Sequence, residues 1–294
     1  MRTAVLALAL VVVLAPLAAG CGDESGGQQE LPDQYLFGGD RPTELYIPAD
    51  YTQSKSWPLL IVLHGHGASG YVQLGYTRLN TLIDGAGVLA LAPDGLLAED
   101  GKQFWNATDA CCDTFGSGVD DSAYIRGLID EVTSVYNVDP DRVYLWGHSN
   151  GGFMAHRMAC DHADAVAAIV SLAGSTWLDS SQCNPSEPVN VMQIHGDADA
   201  TVPYTGRANY PGAEDTVAYW ADNAGCGTAR TTDSTRVDID TAVAGDETRI
   251  ERHDGCPVGI DVELWAAEGT GHIPMFTPDF PDMMWAWFEA HPKQ

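Results

Sequence analysis

Ser149 lies in Gly147-His148-Ser149-Asn150-Gly151, between two runs of opposite character. Before it comes Arg142-Val143-Tyr144-Leu145-Trp146, apolar and β-rich. After it comes Phe153-Met154-Ala155-His156-Arg157-Met158-Ala159, good helix formers without a proline. In a chain with 31 glycines, G-x-S-x-G alone can arise by chance. Strand, tight turn and helix together read as a nucleophile elbow, which lifts one hydroxyl above a sheet edge. A serine hydroxyl is a poor nucleophile until a base takes its proton. Three histidines lie far enough along the chain: His253, His272 and His291. His272 sits in the glycine-rich loop Glu268-Gly269-Thr270-Gly271-His272-Ile273-Pro274, just past an apolar strand-like run, and is the expected base. His253, in a polar stretch beside Cys256, and His291, in the C-terminal tail, are expected to be solvated. The base needs a carboxylate to hold its tautomer. His195-Gly196-Asp197-Ala198-Asp199-Ala200 offers Asp197 and Asp199, and one of the two must be an ordinary solvated acid.

Attack on a carbonyl also requires two N–H donors for the developing oxyanion. The amide of Asn150 supplies one. The other is expected from His64-Gly65-His66-Gly67-Ala68-Ser69-Gly70, at His66, with Gly67 next. A competing reading of the same stretch makes His64 and His66 a pair of zinc ligands. That leaves Ser149, Asp199 and His272 with no joint purpose, so no metal and no cofactor are expected.

The elements that must hold these groups alternate along the chain. Residues 58–63, 88–92, 142–147, 166–172, 189–194 and 262–266 read as buried strands. A helix from about Asp120 puts Tyr124, Leu128, Val132 and Val135 on one face, and a terminal helix carries Met283, Met284, Trp287 and Phe288. Such alternation predicts an α/β fold, a mostly parallel sheet covered by helices on both faces. In that architecture sites assemble at the carboxyl ends of strands, where these polar residues fall. Only residues 175–188 separate Gly174 from the 189–194 strand, too few for a helical lid, so an open cleft is expected. Trp105, Phe153, Trp177, Tyr204 and Phe276 lie beside the motifs and are candidate apolar subsites.

Residues 1–21 read as a signal peptide: Arg2, then the apolar run Ala4 to Leu17, then Leu17-Ala18-Ala19-Gly20 before Cys21. That ending resembles a lipobox, making Cys21 a lipidation site and the only expected membrane attachment. Residues 22–40 are polar and glycine-rich and read as a tether, leaving 41–294 as one catalytic domain. The formal net charge of −27, from 41 acidic and 14 basic residues, disfavours nucleic acid and polyanionic partners. With Cys21 set aside, six cysteines remain, an even number in an exported chain. Cys226 and Cys256 are the expected disulfide. Cys111, Cys112, Cys160 and Cys183 admit three pairings.

With these residues in place the chain resembles the polyhydroxybutyrate depolymerase and feruloyl esterase group of secreted α/β-hydrolases. The resemblance rests on L-H-G-H-G at 63–67, W-N-A at 105–107 with Cys111-Cys112, and Gly118-Val119-Asp120-Asp121. It continues through G-H-S-N-G-G at 147–152, I-H-G-D-A-D-A-T-V-P-Y at 194–204 and G-T-G-H at 269–272. It implies an α/β-hydrolase fold and places the family's catalytic acid on Asp199 rather than Asp197. His66 stands where a cysteine usually follows His-Gly, a change that spares a backbone contact. The implied function is an exported, lipid-anchored, monomeric serine ester hydrolase acting on 3-hydroxybutyrate esters. Feruloyl or acetyl esters of plant polysaccharide are the alternative substrates. A binding lipoprotein that keeps the fold without catalysis is the alternative of another class.

Overall fold

A computed structural model describes residues 32–294. The signal peptide, Cys21 and the first part of the tether lie outside the described residues. In chain order the strands are β1 (Leu36–Phe37), β2 (Thr43–Tyr46), β3 (Trp57–Leu63), β4 (Leu89–Leu91), β5 (Leu96–Leu97), β6 (Gln103–Phe104), β7 (Val138–His148), β8 (Ala168–Leu172), β9 (Asn190–Gly196), β10 (Arg230–Thr232), β11 (Thr248–His253) and β12 (Val262–Ala267). The helices are α1 (Gly70–Tyr76), α2 (Asp121–Val135), α3 (Asn150–Asp161), α4 (Ala213–Ala224) and α5 (Phe280–Ala290). Ten strands form one sheet in the order β1-β2-β4-β3-β7-β8-β9-β12-β11-β10, while β5 and β6 pair separately. From β4 to β12 every pairing is parallel, and antiparallel strands extend the sheet at both edges.

Period-two side-chain alternation splits the core into two layers. Along β3, Leu59, Ile61 and Leu63 face one layer, with Ile125 and Leu128 of α2, Met154 and Met158 of α3, and Val217 and Trp220 of α4. Leu60 and Val62 face the other, with Leu74 of α1 and Phe280, Met284 and Phe288 of α5. Both faces are therefore buried, which is why the parallel strands read as unbroken apolar runs.

Three details depart from the sequence reading. Phe37 is buried, and β1 pairs with β2, so part of the stretch expected as tether up to residue 40 belongs to the domain. The polar segment between Cys226 and Cys256 contains β10 and β11. Its arginines pair with nearby carboxylates, Arg249 with Glu251 on the same strand and with Glu268, and Arg252 with Asp233 and Glu263. His253 and His291, expected to be solvated, are buried. His253 bonds to the Gly227 carbonyl and His291 to Trp287 and Asp261, away from Ser149.

Cys226 and Cys256 form the expected disulfide. The other four pair as Cys111–Cys112 and Cys160–Cys183, the latter tying α3 to the short connection between β8 and β9. Closing the 23- and 30-residue loops contributes roughly 3–4 kcal/mol each in the loop-entropy account.

Candidate active site

β7 delivers Ser149 at the rim of the sheet with φ 54° and ψ −119°, a conformation rarely adopted by residues other than glycine. The turn is tight enough to exclude side chains on either side. A Cβ on Gly147 would stand 2.0 Å from the Gly151 carbonyl oxygen, and one on Gly151 would stand 2.2 Å from that of Leu63. The Ser149 amide is fixed to the Leu172 carbonyl at the end of β8, 2.8 Å away. Strain of this kind persists only where the surroundings over-determine it.

The three side chains singled out in the sequence meet here. The Ser149 hydroxyl lies 2.9 Å from His272 Nε2, and His272 Nδ1 lies 2.6 Å from Asp199 Oδ2. A carboxylate only accepts, so the proton sits on Nδ1 and the Nε2 lone pair faces the serine. Asp199 Oδ1 accepts from the amides of Thr201 at 2.8 Å and Val202 at 2.9 Å. Burial works to raise the Asp199 carboxyl. Contacts from His195 and His272, the His272 charge and the Val202 amide outweigh it, holding the group far below the usual carboxylate range.

Asp197, the other acid of the turn, is exposed and accepts the Gly269 amide at 2.6 Å. It thereby ties the acid turn to the loop that carries His272, and Ala198 N–H to the Thr270 carbonyl, 3.1 Å, adds a second tie. His148, beside Ser149, ties the serine turn to the same loop through its Nε2–H, which donates to the His272 carbonyl at 2.9 Å. Burial, reinforced by the nearby His272 ring, pushes His148 down to about 4. Burial does the same to His156, down to about 4, against the opposing hydrogen bond with Gln193.

Those two rings make a prediction. Their folded-state values lie below the ordinary imidazole value, so between about pH 6.5 and 4 the unfolded chain binds more protons. Stability is therefore whole above this window and lost as pH falls through it, by roughly 3 kcal/mol per ring. Urea unfolding at pH 7 and pH 4.5 measures the loss. Equal stability at the two values would mean the rings are not buried as neutral imidazoles.

Among the described residues the amides expected as oxyanion donors, those of His66 and Asn150, are free of other partners. A Cβ on Gly65 would come 3.4 Å from Ser149 Cβ, so the loop after β3 passes directly beside Ser149. The Gly67 amide, second in the sequence reading, is instead spent on the Gln103 carbonyl at 2.8 Å. Gln73 of α1 holds the loop by accepting the Gly65 amide. The zinc reading of this stretch fails. His64 Nε2 accepts the Gly95 amide and Nδ1–H donates to the Gly65 carbonyl, while His66 is exposed. Among the described residues one cluster could hold a cation: Asp261, Glu263 and His291. Its atoms are already engaged with each other, Arg252, Trp265 and Trp287.

Two of the five candidate subsites, Trp105 and Phe153, are corrected, because both lie in the core. Trp105 is fully buried and acts as a clamp. Its indole N–H donates to the His64 carbonyl at 3.0 Å, and its backbone exchanges two bonds with the Asn150 amide group, at 2.7 and 2.9 Å. It therefore ties the loop after β3 to the first residue of α3. Phe153 is buried against Tyr210, and Phe276 stacks on Phe280. Tyr204 packs edge-on against His195, and its hydroxyl donates to Glu214. Trp177 lines a cleft of about 330 Å³ with Tyr210, Tyr219 and Arg207.

Comparison with known proteins matches this arrangement. A family model described as esterase PHB depolymerase matches residues 43–209. The chain belongs to that family. The match includes Ser149 and Asp199 and ends before His272, whose place in the site rests on the distances above. Feruloyl esterase B of Piromyces equi is 30% identical over 77% of this chain and 41% of its own length. A putative esterase, NocK, of Nocardia uniformis subsp. tsuyamanensis is 35% identical over 52% of this chain and 43% of its own. The match thus spans about two-fifths of each of these curated relatives. Feruloyl esterase D of Neurospora crassa is 25% identical over 91% of this chain and 86% of that protein. Among solved structures, acetyl xylan esterase from Aspergillus awamori superposes with a TM-score of 0.62 at 18% identity, covering 85% of this chain and 94% of that one. That likeness establishes the α/β-hydrolase fold.

Trp105, His148 and His195 lie inside the quoted motifs and Gln73 and Gln193 outside them, but the motifs do not announce the bonds these five residues make in the fold.

Proposed function

We propose that the protein is a serine carboxylic-ester hydrolase working through an acyl-enzyme. The carrying observation is the continuous bonding from Ser149 through His272 to Asp199. In this reading Ser149 Oγ attacks the ester carbonyl carbon while His272 Nε2 takes the hydroxyl proton. The oxyanion rests on the His66 and Asn150 amides. His272 returns the proton to the leaving alkoxide as the C–O bond breaks, leaving Ser149 acylated. Water, deprotonated by His272, then attacks the acyl-enzyme, and the acid departs as Ser149 regains its proton. Asp199 holds the Nδ1–H tautomer and stabilises the imidazolium in both halves. The family assignment and this triad leave a non-catalytic binding role unsupported.

Access and the relatives bear on the substrate class. Ser149 and His272 are only half-buried, and one 3₁₀ turn, Ser180–Gln182, is the only helical element between β8 and β9. An open rim accommodates an ester at the edge of a bulky molecule. The family's description keeps 3-hydroxybutyrate esters as one reading. The names of the relatives, feruloyl esterase and bifunctional acetylxylan esterase/xylanase, favour feruloyl or acetyl groups on polysaccharide. Three disulfides among the described residues support export. Attachment through lipid at Cys21 and a monomeric state complete the reading.

A panel of p-nitrophenyl acetate, methyl ferulate, acetylated xylan and 3-hydroxybutyrate oligomers tests it. Hydrolysis of at least the activated ester, unaffected by chelators, is expected, and the preferred natural ester names the class. Failure on every ester, or loss of activity to a chelator, would overturn it.

A further inference from the structure

A line of buried polar side chains runs from the helix layer to the back of Asp199, in a region where apolar residues would be expected. Trp220 of α4, His156 of α3, and Gln193 and His195 of β9 are all essentially inaccessible to solvent. Gln193 and His195 share the face of β9 that turns toward α3 and α4, alternating with Met192 and Ile194 on the other face.

The direction of every bond in this line is forced. An indole N–H can only donate. Trp220 Nε1–H therefore donates to His156 Nδ1 at 2.9 Å, which puts the His156 proton on Nε2. That Nε2–H donates to Gln193 Oε1 at 2.9 Å, which orients the amide. Gln193 Nε2 then donates to the Gly174 carbonyl at 2.9 Å and to His195 Nδ1 at 3.1 Å. His195 must carry its proton on Nε2, which lies 2.8 Å from the Val202 carbonyl. A carbonyl only accepts, so the far end independently demands the same tautomer. The two ends agree, and no member is left unsatisfied.

The same His195 Nε2 stands 3.6 Å from Asp199 Oδ2, the oxygen that accepts from His272. That distance is too long for a full hydrogen bond but close enough for the N–H dipole to act on a buried carboxylate. His195 also holds Val202, whose amide binds Asp199 Oδ1. We propose that His195, its tautomer set by the Trp220–His156–Gln193 line, is a positioning residue for Asp199: it aims a fixed N–H dipole at the carboxylate and braces the turn that orients it toward His272. The proposal rests on the hydrolase reading for its catalytic consequence, though its geometry stands apart from it. The other titratable groups around this turn include Asp197, His148, His272, Tyr204 and Tyr210, with Arg207 bonded to the Thr201 carbonyl.

The test compares His195→Phe, which removes both ring nitrogens, with His195→Gln, which can restore a donor. Active sites are titrated first with a serine-directed phosphonate, so that turnover is counted per competent site. His195→Phe is expected to lose roughly ten- to a hundredfold in kcat, the range usual for outer partners of a site residue, with KM within about twofold. His195→Gln is expected to recover most of it. Proton NMR of the His272 Nδ1–H bonded to Asp199 provides a readout independent of turnover: the signal is expected to shift in His195→Phe and return in His195→Gln. Unchanged kcat per titrated site together with an unchanged signal in His195→Phe would overturn the proposal. So would a deficit confined to the number of titratable sites, which is all that a purely structural role would move. If the wild-type protein hydrolysed no ester, the hydrolase reading would fall and the NMR comparison would still decide this one.

Discussion

Ser149→Ala is expected to lower kcat by roughly 10⁴-fold or more, with the melting temperature essentially unchanged. The substitution deletes the hydroxyl that His272 faces at 2.9 Å and nothing that holds the elbow. The turn is fixed by backbone: the 149 amide on Leu172, the Phe153 amide on the 149 carbonyl, and the close approach of Gly147 to Gly151. Alanine tolerates φ 54° about as poorly as serine, so the strain is carried over rather than relieved. Residual hydrolysis above water would reflect oxyanion stabilisation and binding alone. Rates measured on p-nitrophenyl acetate, with the melting curve beside them, check both halves. Turnover near the wild-type value would end the nucleophile assignment.

Asp199→Asn should cost a similar factor, on the order of 10⁴, by a different route. The Thr201 and Val202 amides both point at Oδ1 and require an acceptor there, so the asparagine must keep its carbonyl oxygen on that side. Its NH₂ then faces His272 Nδ1 and donates where the carboxylate accepted. The imidazole is forced to carry its proton on Nε2, directed at Ser149, and can no longer take the serine proton. Because the pocket keeps its shape, KM should change far less than kcat. The discriminating control is Asp197→Asn. That residue is exposed and bonds the Gly269 amide through an oxygen that asparagine retains, so kcat is expected to stay within a few-fold of wild type. Equal losses in the two variants would contradict the assignment of Asp199 as the orienting acid.

How far the sequence could be read follows from the range of each interaction. The elbow is legible because its glycine requirement is local: Gly147 and Gly151 collide with backbone within a few residues or on the adjoining strand. The strands from β3 to β12 that carry the site are legible because both faces of the sheet are buried. Asp197 and Asp199 are two residues apart on the same turn, and residue chemistry alone did not separate them. What separates them is which reaches His272 and which reaches Gly269, a matter of how two distant loops dock. The burial of Trp105 and Phe153 is illegible for a related reason. Nearness to a motif along the chain does not say on which side of the backbone a ring falls, and Trp105 falls inward, between His64 and Asn150. β11 is hard to read because its half-buried arginines pair with carboxylates on the same strand and around it, so the stretch has the composition of a solvated loop. His253 and His291 are buried by partners that no local pattern announces.

A serine-directed fluorophosphonate followed by peptide mass spectrometry tests the central claim most directly, since it asks whether the hydroxyl at the elbow is activated without requiring knowledge of the substrate. One phosphonyl group per chain is expected, on the peptide containing Ser149, with labelling slowed by orders of magnitude when His272 is replaced by alanine. A chain left unlabelled, or labelled on another residue at equal rate, would contradict the account.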